Sequence, residues 1–425
     1  MVLANVVQQV VNLLILISVP QMITTESFGQ VTFVVTLLSF MSFSDLGLSF
    51  VYSRKMPALY GRNNHSEIAT WNTTIFRFRA YGALVFGTAA GLIYLDKYGD
   101  VQNAVLLAMT APLASAASFY IASNIAQGAF GATRNAAVLQ AVARLCVIPG
   151  VAAWGVRGWF VGQLAASVLA FGQRNLRTTC TKGWKQAGAI DWSLVRANVS
   201  EAIALGLITT LWTLLLSSGR FAAAFKYPDV VVGKYGVAAS AYQMMSALMI
   251  AAFIPQTVKL YRLLDVDQNA AIDYVLRVII WTLPIAIAFA CASVLAAPPL
   301  LNYVFPSYGV DFQIVAPLML SFVNYPAIVT LGGIWVGTNR HSMYLPIIVA
   351  CLCVDWVATE LLEPRYGYNA AAMGQLLSLS VFAVVMLLAV AICYRRSAFR
   401  GVHIWIAILA SAMPVIALMT IPMEP

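Results

Sequence analysis

Charge is scarce in this chain. Only 10% of its 425 residues are Asp, Glu, Lys or Arg, and 61% are hydrophobic, whereas a soluble domain holds about 25% charged and 45–50% apolar residues. At a mean hydropathy of +0.82, no soluble core hides that much apolar surface. Disorder, a disulfide scaffold and a secreted enzyme are excluded, and a polytopic membrane protein is indicated. Histidine is scarcer still: the three, His65, His341 and His403, have no second ligand nearby. The six cysteines show no metal or redox spacing; five lie in apolar runs and Cys180 in a basic loop. They read as small buried hydrophobes, and no metal or cofactor is expected. Long polar stretches are missing too, none exceeding about 25 residues, which leaves no room for an attached soluble domain.

What is present is apolar length. A bilayer-crossing helix needs roughly 20 mostly apolar residues. That ruler gives thirteen candidate spans, at about 3–23, 30–53, 80–95, 102–128, 136–154, 158–174, 198–218, 232–255, 276–298, 312–337, 342–361, 369–393 and 402–421. The first lacks the basic start and small-residue cleavage pattern of a signal peptide. Basic residues crowd the even-numbered connections: eighteen of the 25 lie there, with Arg54, Lys55, Arg62, Arg77 and Arg79 in 54–79 and five more in 174–196. The odd connections carry Glu26, Asp96, Asp100, Asp229, Asp311, Glu360 and Glu363. The positive-inside rule places the even connections and the N-terminus in the cytoplasm. Orientation then accounts for the net charge of +9, and no nucleic-acid partner is expected.

The two halves of the chain repeat one another. Phe28-Gly29 and Tyr235-Gly236 are 207 residues apart, Pro112 and Pro317 are 205, Arg134 and Arg340 are 206, and Val142 and Val349 are 207. Gly155 with Gly162 matches Gly367 with Gly374 at an offset of 212. Six spans per repeat preserve orientation, so the expected fold is all-α, with two six-helix lobes in a parallel internal repeat and an extra C-terminal span. The lobes are expected at 1–178 and 179–396, with the extra segment at 397–425. This is the organisation of a carrier that rocks. The pairs Gly87/Gly91, Gly158/Gly162 and Gly333/Gly337 suit close helix contact, and most aromatic residues are expected at lipid or interface.

The opening, with Pro20, Glu26-Ser27-Phe28-Gly29-Gln30, Ser44-Asp45-Leu46-Gly47-Leu48 and Arg54, resembles the polysaccharide-biosynthesis flippases. These are bacterial flippases of lipid-linked oligosaccharides (the O-antigen type) in the multidrug/oligosaccharidyl-lipid/polysaccharide exporter superfamily. Arg220 with Val232-Gly233-Lys234-Tyr235-Gly236, and Gly155-Val156-Arg157-Gly158 with Gly162-Gln163-Leu164, are similar as well. The resemblance implies a non-enzymatic carrier in the bacterial inner membrane. Its substrate would be a polyprenyl diphosphate bearing a few sugars, with H⁺ or Na⁺ as coupling ion.

An anionic head group calls for fixed positive charge in a watered cavity, and the arginine fork binds phosphate oxygens bidentately. Arg144, midway along the fifth span, is the foremost candidate; its repeat counterpart is Cys351, so the charge belongs to one lobe only. Arg54 and Arg77 flank the inner mouth and suit gathering of diphosphate. Arg220 lies near the outer end of the seventh span, where snorkelling to the interface is expected. The acids within spans, Asp45, Glu201 and Asp355, are candidates for cation coupling or for pairing with Arg144. Asp45 also stands where its side chain can bond the backbone beside Gly47. A cation-coupled multidrug exporter of the same superfamily is the competing reading, and a membrane polymerase or glycosyltransferase is a weaker one.

Overall fold

The computed structural model describes residues 2–62, 64–172, 190–338, 340–393 and 400–420. The connection bearing Arg174, Arg177, Lys182 and Lys185 lies outside them, as do Cys180, Arg395 and Arg396. Every regular element among the described residues is helical. The chain forms two compact units, Met1–Thr210 and Leu211–Pro425.

In the first unit, α1 is Val2–Met22 and α2 is Thr25–Leu38. The second span then tightens into a 3₁₀ turn, Ser39–Phe43, before α3, Leu48–Gly61. Between them Leu46 (φ 53°) and Gly47 (φ 81°) are left-handed. Asp45 Oδ1 accepts the Gly47 N–H at 3.0 Å, so an Asx-type bond fixes the break. α4 runs His65–Tyr98, capped by Asn64 and ended by left-handed Gly99. It therefore starts well before the apolar stretch near residue 80 and carries Arg77 and Arg79 inside the helix. α5, Val101–Ala126, is capped by Asp100 and packs closely on α4. A Cβ on Gly87 or Gly91 would lie 2.8 or 2.7 Å from the carbonyl oxygens of Ala108 and Ala104. α6, Phe130–Ala143, passes through a 3₁₀ turn, Arg144–Cys146, into α7, Val147–Gly172.

The second unit begins inside α8, Trp192–Leu216, and continues with α9, Ser218–Lys226. Then come α10, Asp229–Val266, and α11, Gln268–Val304. α12, Phe312–Leu320, leads through a 3₁₀ turn to α13, Tyr325–Gly337. α14, His341–Tyr366, α15, Ala370–Cys393, and α16, Arg400–Thr420, complete the chain. α16 packs on α11, α12 and α15.

Eight helical stretches among the described residues are long and apolar enough to cross a bilayer. Two of them are too long for one crossing: Phe130–Gly172 has 43 residues and Met343–Cys393 has 51, or about 65 and 77 Å at 1.5 Å per residue. Each reverses at a glycine. Gly155 adopts φ 56°, ψ −132° and Gly367 φ 55°, ψ −136°, a conformation that is open to glycine and strained for other residues. A Cβ on Gly158 would lie 1.7 Å from Gly150 O, and one on Gly374 2.4 Å from Thr359 Oγ1, so in each hairpin the second helix returns against the first. The two glycines are the pair expected from the 212-residue offset, now seen with the same dihedrals.

The largest fully buried side chains are Trp335, six tyrosines and five phenylalanines. Three of these tyrosines are paired through their hydroxyls: Tyr52 donates to Asn72 Oδ1 at 2.6 Å, and Tyr242 and Tyr325 share a 2.9 Å bond.

Candidate functional site

At one end of the first unit, the last turns of α3 and the first turns of α4 and α8 enclose an open cavity of about 870 Å³. The α3 wall supplies Arg54, Lys55 and Arg62; the others supply Glu67, Asp191 and Asn198. Arg54 and Glu201 are brought together, 3.0 Å apart, and Lys55 lies 3.9 Å from the same carboxylate. Lys55 also reaches Asn198 Oδ1 at 2.5 Å. The other two acids serve their own helices. Glu67 Oε2 accepts from Asn64 at 2.8 Å. Asp191 Oδ1 accepts the Ser193 hydroxyl at 2.5 Å and the Leu194 N–H at 3.1 Å, bonds that hold its carboxyl below the usual carboxylate range.

Deeper in this unit Asp45 is buried, and its partner is Arg79, a residue that hydropathy assigns to a loop. Arg79 Nε lies 3.9 Å from Asp45 Oδ2. The rest of the guanidinium is held by serines: Ser115 at 2.8 Å, Ser49 at 2.9 Å and Ser118 at 2.7 Å. Ser49 in turn donates to Asp45. Asp45 is thus committed to a built ion pair. Arg77, two residues earlier on α4, stands exposed. Arg144 sits in the 3₁₀ turn within the fifth span, half-buried, and donates to Asn12 Oδ1 of α1 at 2.8 Å. No acid pairs with it among the described residues, so the alternative of a pair with Asp45 or Asp355 is not found.

In the second unit Arg220 departs from expectation. It does not snorkel; only 4% of it is exposed, and it donates to Gln243 Oε1 of α10 at 2.9 Å. The cause is the break at Ser217 (φ −131°), which starts α9 as a separate short helix. Gly219 admits the neighbours: its N–H donates to Gln375 Oε1 at 3.1 Å, and a Cβ there would meet Tyr235 OH at 2.0 Å. Asp355 of α14 is buried at 5% exposure, with Ser218 beside it. Around them Thr359 Oγ1, Tyr235 OH and Arg220 Nε are buried without a protein hydrogen-bond partner. Sequence reasoning found Asp355 and Arg220 but missed the hydroxyls, because Ser, Thr and Tyr within apolar runs carry no periodic signal. Away from this cluster, Lys226 bonds Glu360 at 2.7 Å and Glu363 at 2.5 Å. Those two carboxylates raise its ammonium to about 12.

No protein-family model matches the chain, and no curated protein matches it. Solved structures do. The lipid II flippase MurJ in an inward closed conformation is similar at a TM-score of 0.64 and 12% identity, over 100% of this chain and 94% of that one. An inward-facing multidrug resistance MATE family transporter of the MOP superfamily gives 0.63 and 14%, over 92% and 96%. A mutant of the Vibrio cholerae MATE transporter VcmN gives 0.59 and 14%, over 92% and 99%. At these identities the likeness is one of fold: this chain is built on the all-helical, multi-pass architecture that those MATE transporters share with MurJ.

Proposed function

We propose that this protein is a flippase carrying polyprenyl-diphosphate-linked oligosaccharide from the cytoplasmic to the outer leaflet of a bacterial inner membrane. Alternating access would supply a surface polysaccharide such as O-antigen, capsule or exopolysaccharide, with no covalent step. The observation that carries this reading is Arg144. A guanidinium in the 3₁₀ turn of a membrane span, resting on a neutral amide 2.8 Å away, keeps its positive charge uncompensated among the described residues. Such a residue is expensive against lipid, by roughly 2.5–3.5 kcal/mol on insertion scales, and suits an anionic substrate. Arg54, Arg77 and Arg220 are the further substrate-binding candidates. The fold shared with a lipid II flippase supports the same class.

The test is Arg144→Ala and Arg144→Lys in the native host. Alanine should keep expression, abolish surface polysaccharide and leave lipid-linked oligosaccharide in the cytoplasmic leaflet; lysine should retain part, because it lacks the planar fork. Normal export by the alanine variant would remove Arg144 from substrate binding.

A cation-coupled multidrug exporter is the second reading, favoured by the buried cluster around Asp355. One carboxylate with hydroxyls of Ser218, Thr359 and Tyr235 suits H⁺ or Na⁺, and ion coupling is compatible with either substrate. Asp45 and Glu201 are weaker coupling candidates, since each is held by a cation. Asp355→Asn should abolish the dependence of transport on a Na⁺ or H⁺ gradient while the protein still folds. Export of cationic drugs, with no effect on lipid-linked oligosaccharide, would favour this reading.

A further inference from the structure

We infer that the cavity formed by α3, α4 and α8 is a loading site for the phosphorylated sugar head of the substrate. The inference rests on the flippase reading and assigns a place that precedes Arg144. The distribution of charge around the cavity favours a carbohydrate partner. The cations stand together on α3, and the acids on the opposite walls are already turned toward their own helix ends.

Arg54 and Lys55 share Glu201. Arg62 is exposed and has no ion-pair partner among the described residues, so its whole fork is open to a phosphate. A purely anionic ligand would be repelled by Glu67 and Asp191. A sugar phosphate would not: its phosphate meets Arg62 and Lys55, and its hydroxyls donate to the remaining lone pairs of those carboxylates and to Asn198. The volume, about 870 Å³, is within the range of sites that hold a small ligand. Trp71 adds an apolar floor beneath Lys55, whose Nζ lies 5.9 Å from the ring centroid.

A lipid-linked sugar diphosphate and a soluble sugar nucleotide share this chemistry, and calorimetry separates them. The full chain in phosphatidylcholine nanodiscs is titrated with three probes: a short-chain prenyl diphosphate carrying one N-acetylglucosamine, UDP-N-acetylglucosamine, and inorganic pyrophosphate. The prenyl-linked sugar should bind tightest. Arg62→Gln should weaken all three about tenfold, equivalent to about 1.4 kcal/mol. Asp191→Asn, which keeps a helix-capping side chain, should weaken the two sugar-bearing probes and strengthen pyrophosphate, from which a repelling charge has been removed. Unchanged affinity in Arg62→Gln, or tighter binding of the sugar nucleotide than of the prenyl probe, would overturn the loading site. Flipping of lipid-linked oligosaccharide measured in the same nanodisc-tested variants keeps the two ideas apart. Binding without any flipping by wild type sinks the transport reading and leaves the site; normal flipping by Arg62→Gln does the reverse.

Discussion

Arg79 answers at once to a carboxylate and three serines. Breaking a buried pair by removing one partner costs about 3–5 kcal/mol, because the other charge is stranded. Arg79→Gln and Asp45→Asn should therefore each lower the melting temperature in detergent, while the double change Asp45→Asn/Arg79→Gln should lose less than the sum of the two. Additive losses would mean that the two side chains do not act as a pair. The sequence showed half of this. Asp45 bonded to the Gly47 N–H was legible in Ser44-Asp45-Leu46-Gly47, because that contact is local. Arg79 was not, because hydropathy penalises any arginine, whereas its compensation comes from Ser115 and Ser118, which are 36 and 39 residues along the chain. Arg220 was misplaced for a similar reason: its partner Gln243 is 23 residues away.

Two helical hairpins turn on single glycines. Gly155→Ala and Gly367→Ala each place a Cβ on a backbone that only glycine adopts without strain, at a cost of order 1–3 kcal/mol. Both should lower thermal stability by similar amounts, since their dihedrals agree within a few degrees; an effect at only one site would argue against their equivalence. Gly158→Leu should be worse, because its Cβ would be driven 1.7 Å from the Gly150 carbonyl oxygen and the hairpin must open. This pairing of turns was readable from spacing alone. The interruption of the second span at Leu46–Gly47 was not, since the corresponding stretch of α10 runs unbroken and an apolar run looks the same with or without a break.

At the level of the whole chain, charge placement predicts orientation. In a cysteine-free background, Arg62→Cys should react with an impermeant maleimide only after permeabilisation, and Ser307→Cys, exposed between α11 and α12, should react in intact cells. The opposite result reverses the topology. On the Ser307 side of this scheme, Lys226 bridges Glu360 and Glu363. Its ammonium is raised to about 12 in the folded chain, so its contribution is fully present below the unfolded value of about 10.4 and is lost only as pH rises through the folded one. Lys226→Gln should thus cost the same small amount, about 0.2–1 kcal/mol as for exposed pairs, at about pH 6 and about pH 9. A loss confined to one of those values would assign the effect to another group. The glycine turns carry a warning for anyone mapping this protein. Where two crossings meet at one residue with helix on either side, there is no loop for a protease, epitope or fused reporter to enter. A survey that relies on such insertions would register each hairpin as one crossing and assign the segment after it to the wrong face of the membrane. A second such miscount, at the other hairpin, would restore the apparent sidedness and hide the first.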